Sequence, residues 1–188
     1  MRFCFIEQPG RFQAGVFTGL ARYKFKYENL FDGGHGSHRD DDDPAAHASH
    51  PWDADGRKVW EHRKMTLKAG SNLTRIESTI DSDTPGEIIV GIGLCKRDGQ
   101  GGKLFEDKSL GVMSYWQPPE KDGTIGVGVK VDPATIVAFD EDKLNYLVLV
   151  KATAGKPFVY YPGACWDKGL DFHTAEEWER YLKEFKRQ

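Results

Sequence analysis

Apolar side chains in this chain recur mostly at every second residue, and that period restricts the fold to β-strands with one buried face. Tyr23, Phe25 and Tyr27 alternate with Lys24, Lys26 and Glu28. Ile125, Val127, Val129 and Val131 alternate with Gly126, Gly128 and Lys130, and Leu144, Tyr146, Val148 and Val150 form a third alternating set. Shorter strand candidates span Thr74 to Ile80, Glu87 to Leu94, Val112 to Trp116, Thr135 to Phe139 and Phe158 to Tyr161. Turn clusters such as Asp81-Ser82-Asp83-Thr84-Pro85-Gly86 separate them. Many short strands with turns between them predict an all-β protein, an antiparallel β-sandwich. Gly126 and Gly128 share one face of their strand, where another backbone, a ligand or a tightly packed neighbour could come close.

One helix is expected, at the C-terminal end. Thr174 caps it, Glu177 completes a capping box, and Trp178, Tyr181, Leu182 and Phe185 form one apolar face. Glu176, Glu177 and Glu179 near its start, and Lys183, Lys186 and Arg187 near its end, match the helix dipole and need no catalytic explanation.

A chain of 188 residues supports one domain over residues 1–188 with a continuous core. With 26 basic and 29 acidic side chains, the net charge of −3 offers no electrostatic footprint for nucleic acid or an anionic membrane surface. The apolar stretch around Phe3 to Ile6 is too short for a signal peptide, and no run approaches membrane-spanning length, so a soluble chain is expected. Nothing in the composition fixes the oligomeric state, and a homo-oligomer is left open. Cys4, Cys95 and Cys165 form no Cys-x-x-Cys pair, so neither a zinc knuckle nor a disulfide framework is indicated. Cys95 reads as a buried strand cysteine.

The segment from Asp32 to Gly56 carries four of the six histidines and seven aspartates, with Trp52 its one large apolar residue, and is expected to be a long loop. His35 and His38, then His47 and His50, make two His-x-x-His pairs that could ligate zinc. Asp40 to Asp43 and Asp53-x-Asp55-Gly56 offer oxygen ligands to calcium but lack the complete twelve-residue pattern. A solvated loop and a flap over a substrate are the other readings. In the flap reading His50, before Pro51-Trp52, serves as general base.

Tyr160-Tyr161-Pro162-Gly163-Ala164-Cys165-Trp166-Asp167 gathers two tyrosines, a tryptophan and an acid, which can form the wall of a sugar site or turn into a core. Lys96 and Arg97 follow a buried strand, and Tyr115 and Trp116 end another. Should these strand ends converge, a basic, aromatic-lined cleft results. Its rings would stack on pyranose faces, and its cations would pair with uronate carboxylates.

An ordered set of segments carries a family resemblance. It comprises Lys68-Ala69-Gly70-Ser71-Asn72-Leu73-Thr74-Arg75-Ile76-Glu77, Val90 to Arg97, Ser114-Tyr115-Trp116, Leu147-Val148-Leu149, Tyr160 to Trp166 and the Glu176-Glu177-Trp178 helix. From about Val59 onward the chain resembles the C-terminal part of an uncharacterised bacterial family, a domain of unknown function found among polysaccharide-degradation genes. The resemblance implies a β-sandwich that handles sugars and is periplasmic or exported. It also implies a longer N-terminal half than this chain has, as expected for a shortened relative or a fragment.

Two function classes follow. The first is a carbohydrate-active enzyme on a uronate-containing oligosaccharide, a lyase or dehydratase. In it Lys96 stabilises the enolate, Tyr161 or His50 moves the proton, and Arg97, Tyr115, Trp116, Tyr160, Trp166 and Asp167 bind the sugar. A hydrolase using paired carboxylates is a lesser variant, with Asp167, Asp171 and Glu106 at hand. The second class is a non-catalytic carbohydrate-binding module. A structural or interaction domain completed by a partner is a blander third.

Overall fold

A computed structural model describes residues 2–8, 11–18, 21–24, 45–48, 51–54 and 56–187, the first four of these segments as backbone. The strands, in chain order, are β1 (Arg2–Gln8), β2 (Arg11–Thr18), β3 (Ala21–Lys24), β4 (Ala45–Ala48), β5 (Trp52–Asp53), β6 (Lys58–Thr66) and β7 (Arg75–Ser82). They continue as β8 (Glu87–Cys95), β9 (Lys103–Asp107), β10 (Val112–Trp116), β11 (Ile125–Lys130), β12 (Ile136–Glu141), β13 (Asn145–Thr153) and β14 (Pro157–Trp166), followed by helix α1 (Ala175–Glu184). One sheet has the order β12-β13-β8-β1-β2-β3; the other runs β4-β6-β7-β14-β11-β10-β9, with β5 paired to β6. Pairing is antiparallel except between β1 and β8. The expected β-sandwich with one C-terminal helix is the architecture found.

The alternating residues explain the core. Ile88, Val90, Ile92 and Leu94 of β8 and Val148, Val150 and Ala152 of β13 meet Ile76 and Ile80 of β7, Met113 and Tyr115 of β10, and Val127 and Val129 of β11. Each contributes the usual 1.5–3 kcal/mol or so of a buried apolar side chain. On the opposite face of the second sheet lies α1, whose Trp178 and Leu182 are fully buried with Leu73, Val112 and Tyr161. Gly128 makes that approach feasible, because a Cβ there would sit 2.5 Å from Leu182 Cδ1. Of the readings open for Gly126 and Gly128, close packing therefore holds at Gly128, with a helix as the neighbour.

Strand content exceeds the expectation, with β1, β2, β6 and β9 among the additions. The segment from Asp32 to Gly56, read as a loop, contributes β4 and β5 to a sheet edge. Strand β14 continues to Trp166, well past the Phe158 to Tyr161 expected. Strand β6 was not expected because its buried face, apolar at Val59 and Met65, is polar between them. Glu61 accepts hydrogen bonds there from Arg63 Nη2 at 2.8 Å and Ser78 Oγ at 2.5 Å, a paired network that masks the apolar alternation. Edge strand β9 is similarly polar, and Phe25 and Tyr27 lie outside the described residues.

Candidate functional site

Strand β14 is paired on opposite edges by two strands that are offset along it. Pro157 to Tyr160 pair with β7, up to the rung Tyr160↔Ile76, whereas Tyr161 to Trp166 pair with β11, from the rung Lys130↔Tyr161. Just before β7 the chain keeps to the same edge of β14 in the same register, through the bridge Leu73↔Gly163 and the Thr74 N–H donating to the Pro162 carbonyl at 2.9 Å. Only glycine fits at 163, since a methyl would overlap the Asn72 carbonyl. Beside this pairing lies a cleft of about 320 Å³ lined by Lys68, Ser71 and Arg75 from the stretch that leads into β7, Tyr161 from β14, and Tyr181 and Phe185 from the C-terminal helical segment. Its volume falls near the lower end of small-ligand sites.

The cleft joins cations to phenols. Arg75 Nη2 donates to Glu77 Oε2 at 2.8 Å, and Tyr161 lies near enough to act on its guanidinium electrostatically. These partners, the Glu77 bond foremost, hold the arginine above its ordinary pKa, so it stays a cation. The Tyr161 ring lies 5.1 Å from Phe185. The Tyr181 hydroxyl accepts from the Asn72 N–H at 3.1 Å and ties the stretch before β7 to the helix. On the same rung as Tyr161, the buried Lys130 donates from Nζ to the carbonyls of Leu182 and Lys183, each at 2.8 Å, anchoring the helix end that carries the aromatic wall. Burial, then the charge of Arg187, lowers the Lys130 pKa.

The residues singled out from sequence are divided among several places. Tyr160 and Tyr161 are mid-strand neighbours that point to opposite faces, so only Tyr161 reaches the cleft. Tyr160 is 2% exposed in the inter-sheet core, stacked on Phe158 at 5.9 Å. Lys96, Arg97 and Tyr115 do converge, at the sandwich end where β8 and β10 finish. Lys96 Nζ is 2.8 Å from Glu141 Oε2 and 4.5 Å above the Tyr146 ring. Tyr146 packs edge-on against Tyr115 at 5.0 Å. The Tyr115 hydroxyl meets the Arg97 backbone, and burial pushes its pKa up. Glu106 is also held above the ordinary carboxylate range, by burial and then by Glu141.

Trp116 turns to the helix side of the sheet, over Gly126 and beside Cys165. Burial pushes the Cys165 thiol up to about 12. Trp166, 48% exposed, donates from Nε1 to the Asp122 carbonyl at 3.0 Å, and the Asp167 carboxylate lies against Gly123. His35, His38 and His50 fall outside the described residues, and His47 lies on β4, of which the backbone alone is described. Among the described residues, no three His, Cys, Asp or Glu side chains are grouped to hold a metal ion, and no helix is long and apolar enough to cross a membrane.

Sequence reasoning therefore missed Lys68, Arg75, Tyr181 and Phe185 as site residues. Lys68 and Arg75 stood in the segment that carries the family resemblance, and Tyr181 and Phe185 were read only as an apolar helix face. Their meeting depends on the pairing of the 68–75 stretch with β14 and on the helix packed over it, long-range contacts that no local pattern reports.

Comparison with known proteins adds a family but no activity. The uncharacterized protein P7 of Formosa agariphila is 25% identical over 140 residues, covering 71% of this chain and 34% of that protein. The chain thus spans about a third of the length of this curated relative. The family model described as a domain of unknown function, DUF4861, matches residues 46–188, which takes in β4 and everything after it. By that match over most of its length, the chain belongs to the DUF4861 family.

Proposed function

We propose that the protein is a carbohydrate-active protein of polysaccharide breakdown, which acts as a lyase or dehydratase on an acidic, uronate-containing oligosaccharide in the Arg75–Tyr161 cleft. The observation that carries this reading is the convergence of Arg75 and Lys68 with Tyr161 and Tyr181 on one cleft. Arg75 and Lys68 suit a uronate carboxylate, and the rings of Tyr181 and Phe185 suit the C–H faces of a pyranose. In the reaction, the proton beside the carboxylate leaves and its electron pair becomes a carbon–carbon double bond. The β-carbon–oxygen bond breaks, and the oxygen departs with a proton as water or as the released sugar. Arg75 stabilises the charge that develops on the carboxylate, and Tyr161 is the proton-carrying group at the reacting atoms. The Arg75–Glu77 pair is partly exposed, at 29% and 36%, so a substrate carboxylate can compete with Glu77 for the guanidinium.

The test is incubation with a panel of uronate oligosaccharides, following the ultraviolet absorbance of the new double bond and the loss of water by mass. Turnover by the wild type, reduced on the order of a hundredfold or more in Tyr161→Phe, is expected. Product formation unchanged by Tyr161→Phe and Arg75→Ala contradicts the assignment. A second reading, the non-catalytic sugar-binding module, is favoured by Trp166, whose ring is half-exposed while its indole nitrogen is held by the Asp122 carbonyl. Polysaccharide retention lost in Trp166→Ala, with no product from any uronate, would select it.

A further inference from the structure

Tyr161 borders a second cavity, of about 360 Å³, which opens beside Pro157 to Tyr160. It exists because β11 ends at the rung Lys130↔Tyr161 and the chain then turns away through Asp132 into the short 3-10 turn Pro133–Thr135, leaving that edge of β14 without a strand partner. Ile92, Val150 and Phe158 make its lining apolar, and Arg187 supplies a cation. The same short stretch of chain serves both hollows, with Phe185 lining the first and Arg187 the second. Phe185 is the C-cap of the helix, at φ −59 and ψ 123, its N–H still bonded to the Tyr181 carbonyl. Arg187 follows two residues later, so the backbone positions of the two side chains lie at most about 7 Å apart. The hold of Lys130 on the Leu182 and Lys183 carbonyls fixes the stem from which both side chains project.

Arg187 Nη1 lies 3.0 Å from Asp132 Oδ1, with side chains 40% and 47% exposed. An ion pair so open to water is worth little, so a carboxylate arriving on a ligand can replace Asp132 at small cost. We propose that the two cavities are adjacent subsites, and that the preferred ligand is an oligosaccharide with at least two neighbouring acidic units, the second meeting Arg187. This inference rests on reading the Arg75–Tyr161 cleft as a uronate site. It adds a length requirement that the first cleft alone does not impose.

Calorimetric titration with galacturonate, glucuronate and mannuronate, each as monomer and as trimer, tests it on the wild type, Arg187→Ala and Asp132→Asn. Both substitutions are at partly exposed surface positions. The trimer of the preferred sugar should bind the wild type about tenfold or more tighter than its monomer, the equivalent of one good charge-assisted contact. Arg187→Ala should shrink that ratio to within about threefold, and Asp132→Asn should widen it by removing the competing carboxylate. A ratio in Arg187→Ala equal to that of the wild type, or a wild type indifferent to chain length while still binding the monomer, overturns the second subsite and leaves the first cleft standing. Failure of every uronate to bind overturns the functional reading together with the subsite.

Discussion

Tyr160 and Tyr161 illustrate how far one residue changes a side chain's role within a strand. Successive residues of β14 face opposite sides of the sheet, so one phenol enters the sandwich core and the next reaches the cleft. Glycines mark the close approaches. Gly163→Ala places a methyl into the Asn72 backbone and should cost about 1–3 kcal/mol in urea denaturation, as overpacking does. Gly128→Ala meets the flexible end of Leu182 and should cost less. A Gly128→Ala protein less stable than Gly163→Ala would contradict this ranking. Cys165, with its thiol pushed up to about 12, should be on the order of a thousandfold poorer in thiolate than an ordinary cysteine at pH 8. Its labelling by a thiol reagent, read as the difference between wild type and Cys165→Ser, should be slow in the folded protein and rapid in denaturant.

At the scale of elements, helix α1 was readable from sequence because its start signals are local. The Thr174 hydroxyl accepts from the Glu177 N–H at 3.2 Å, and Glu177 Oε2 accepts from the His173 N–H at 2.7 Å, close to the capping box the spacing predicts. Thr174→Ala should cost about 1 kcal/mol. The hydrogen bond from the His173 amide, first among its causes, holds Glu177 below the ordinary carboxylate range. Because the folded-state pKa is the lower one, this stabilisation is present above the ordinary glutamate value near 4.3 and disappears as pH falls through and below it. Stability measured from pH 6 down to pH 3 should therefore fall more steeply in the wild type than in Glu177→Gln; equal slopes would argue against the contact. Strands whose buried face is apolar, such as β8, β11 and β13, were equally legible. Strand β6 was not, since Glu61 and Arg63 occupy positions that an apolar alternation would fill, and the Ser78 partner that satisfies Glu61 comes from another strand.

For the whole molecule, the candidate site is a product of topology. Lys68 and Arg75 precede Tyr161 by most of a hundred residues, and Tyr181 comes from a third layer; they meet because the stretch leading into β7 pairs with β14 and the helix packs over that pairing. That is why the sequence pointed to Tyr161 and to basic, aromatic chemistry, yet placed the companions at Lys96, Arg97 and Trp116, which the fold sends to the sandwich end or to another part of the helix-side face. With a net charge of −3, attraction for an acidic ligand must come from the local cations and not from the molecule as a whole. Affinity for uronate oligosaccharides should accordingly weaken as salt rises through and beyond about 0.15 M, where screening reaches down to roughly 8 Å. The most direct test of the cleft assignment is a backbone-amide NMR titration with the acidic trisaccharide. The account predicts shifts concentrated at residues 68–75, Tyr161, Tyr181 and Phe185; shifts gathered around Lys96, Tyr115 and Trp166, with the cleft silent, would contradict it.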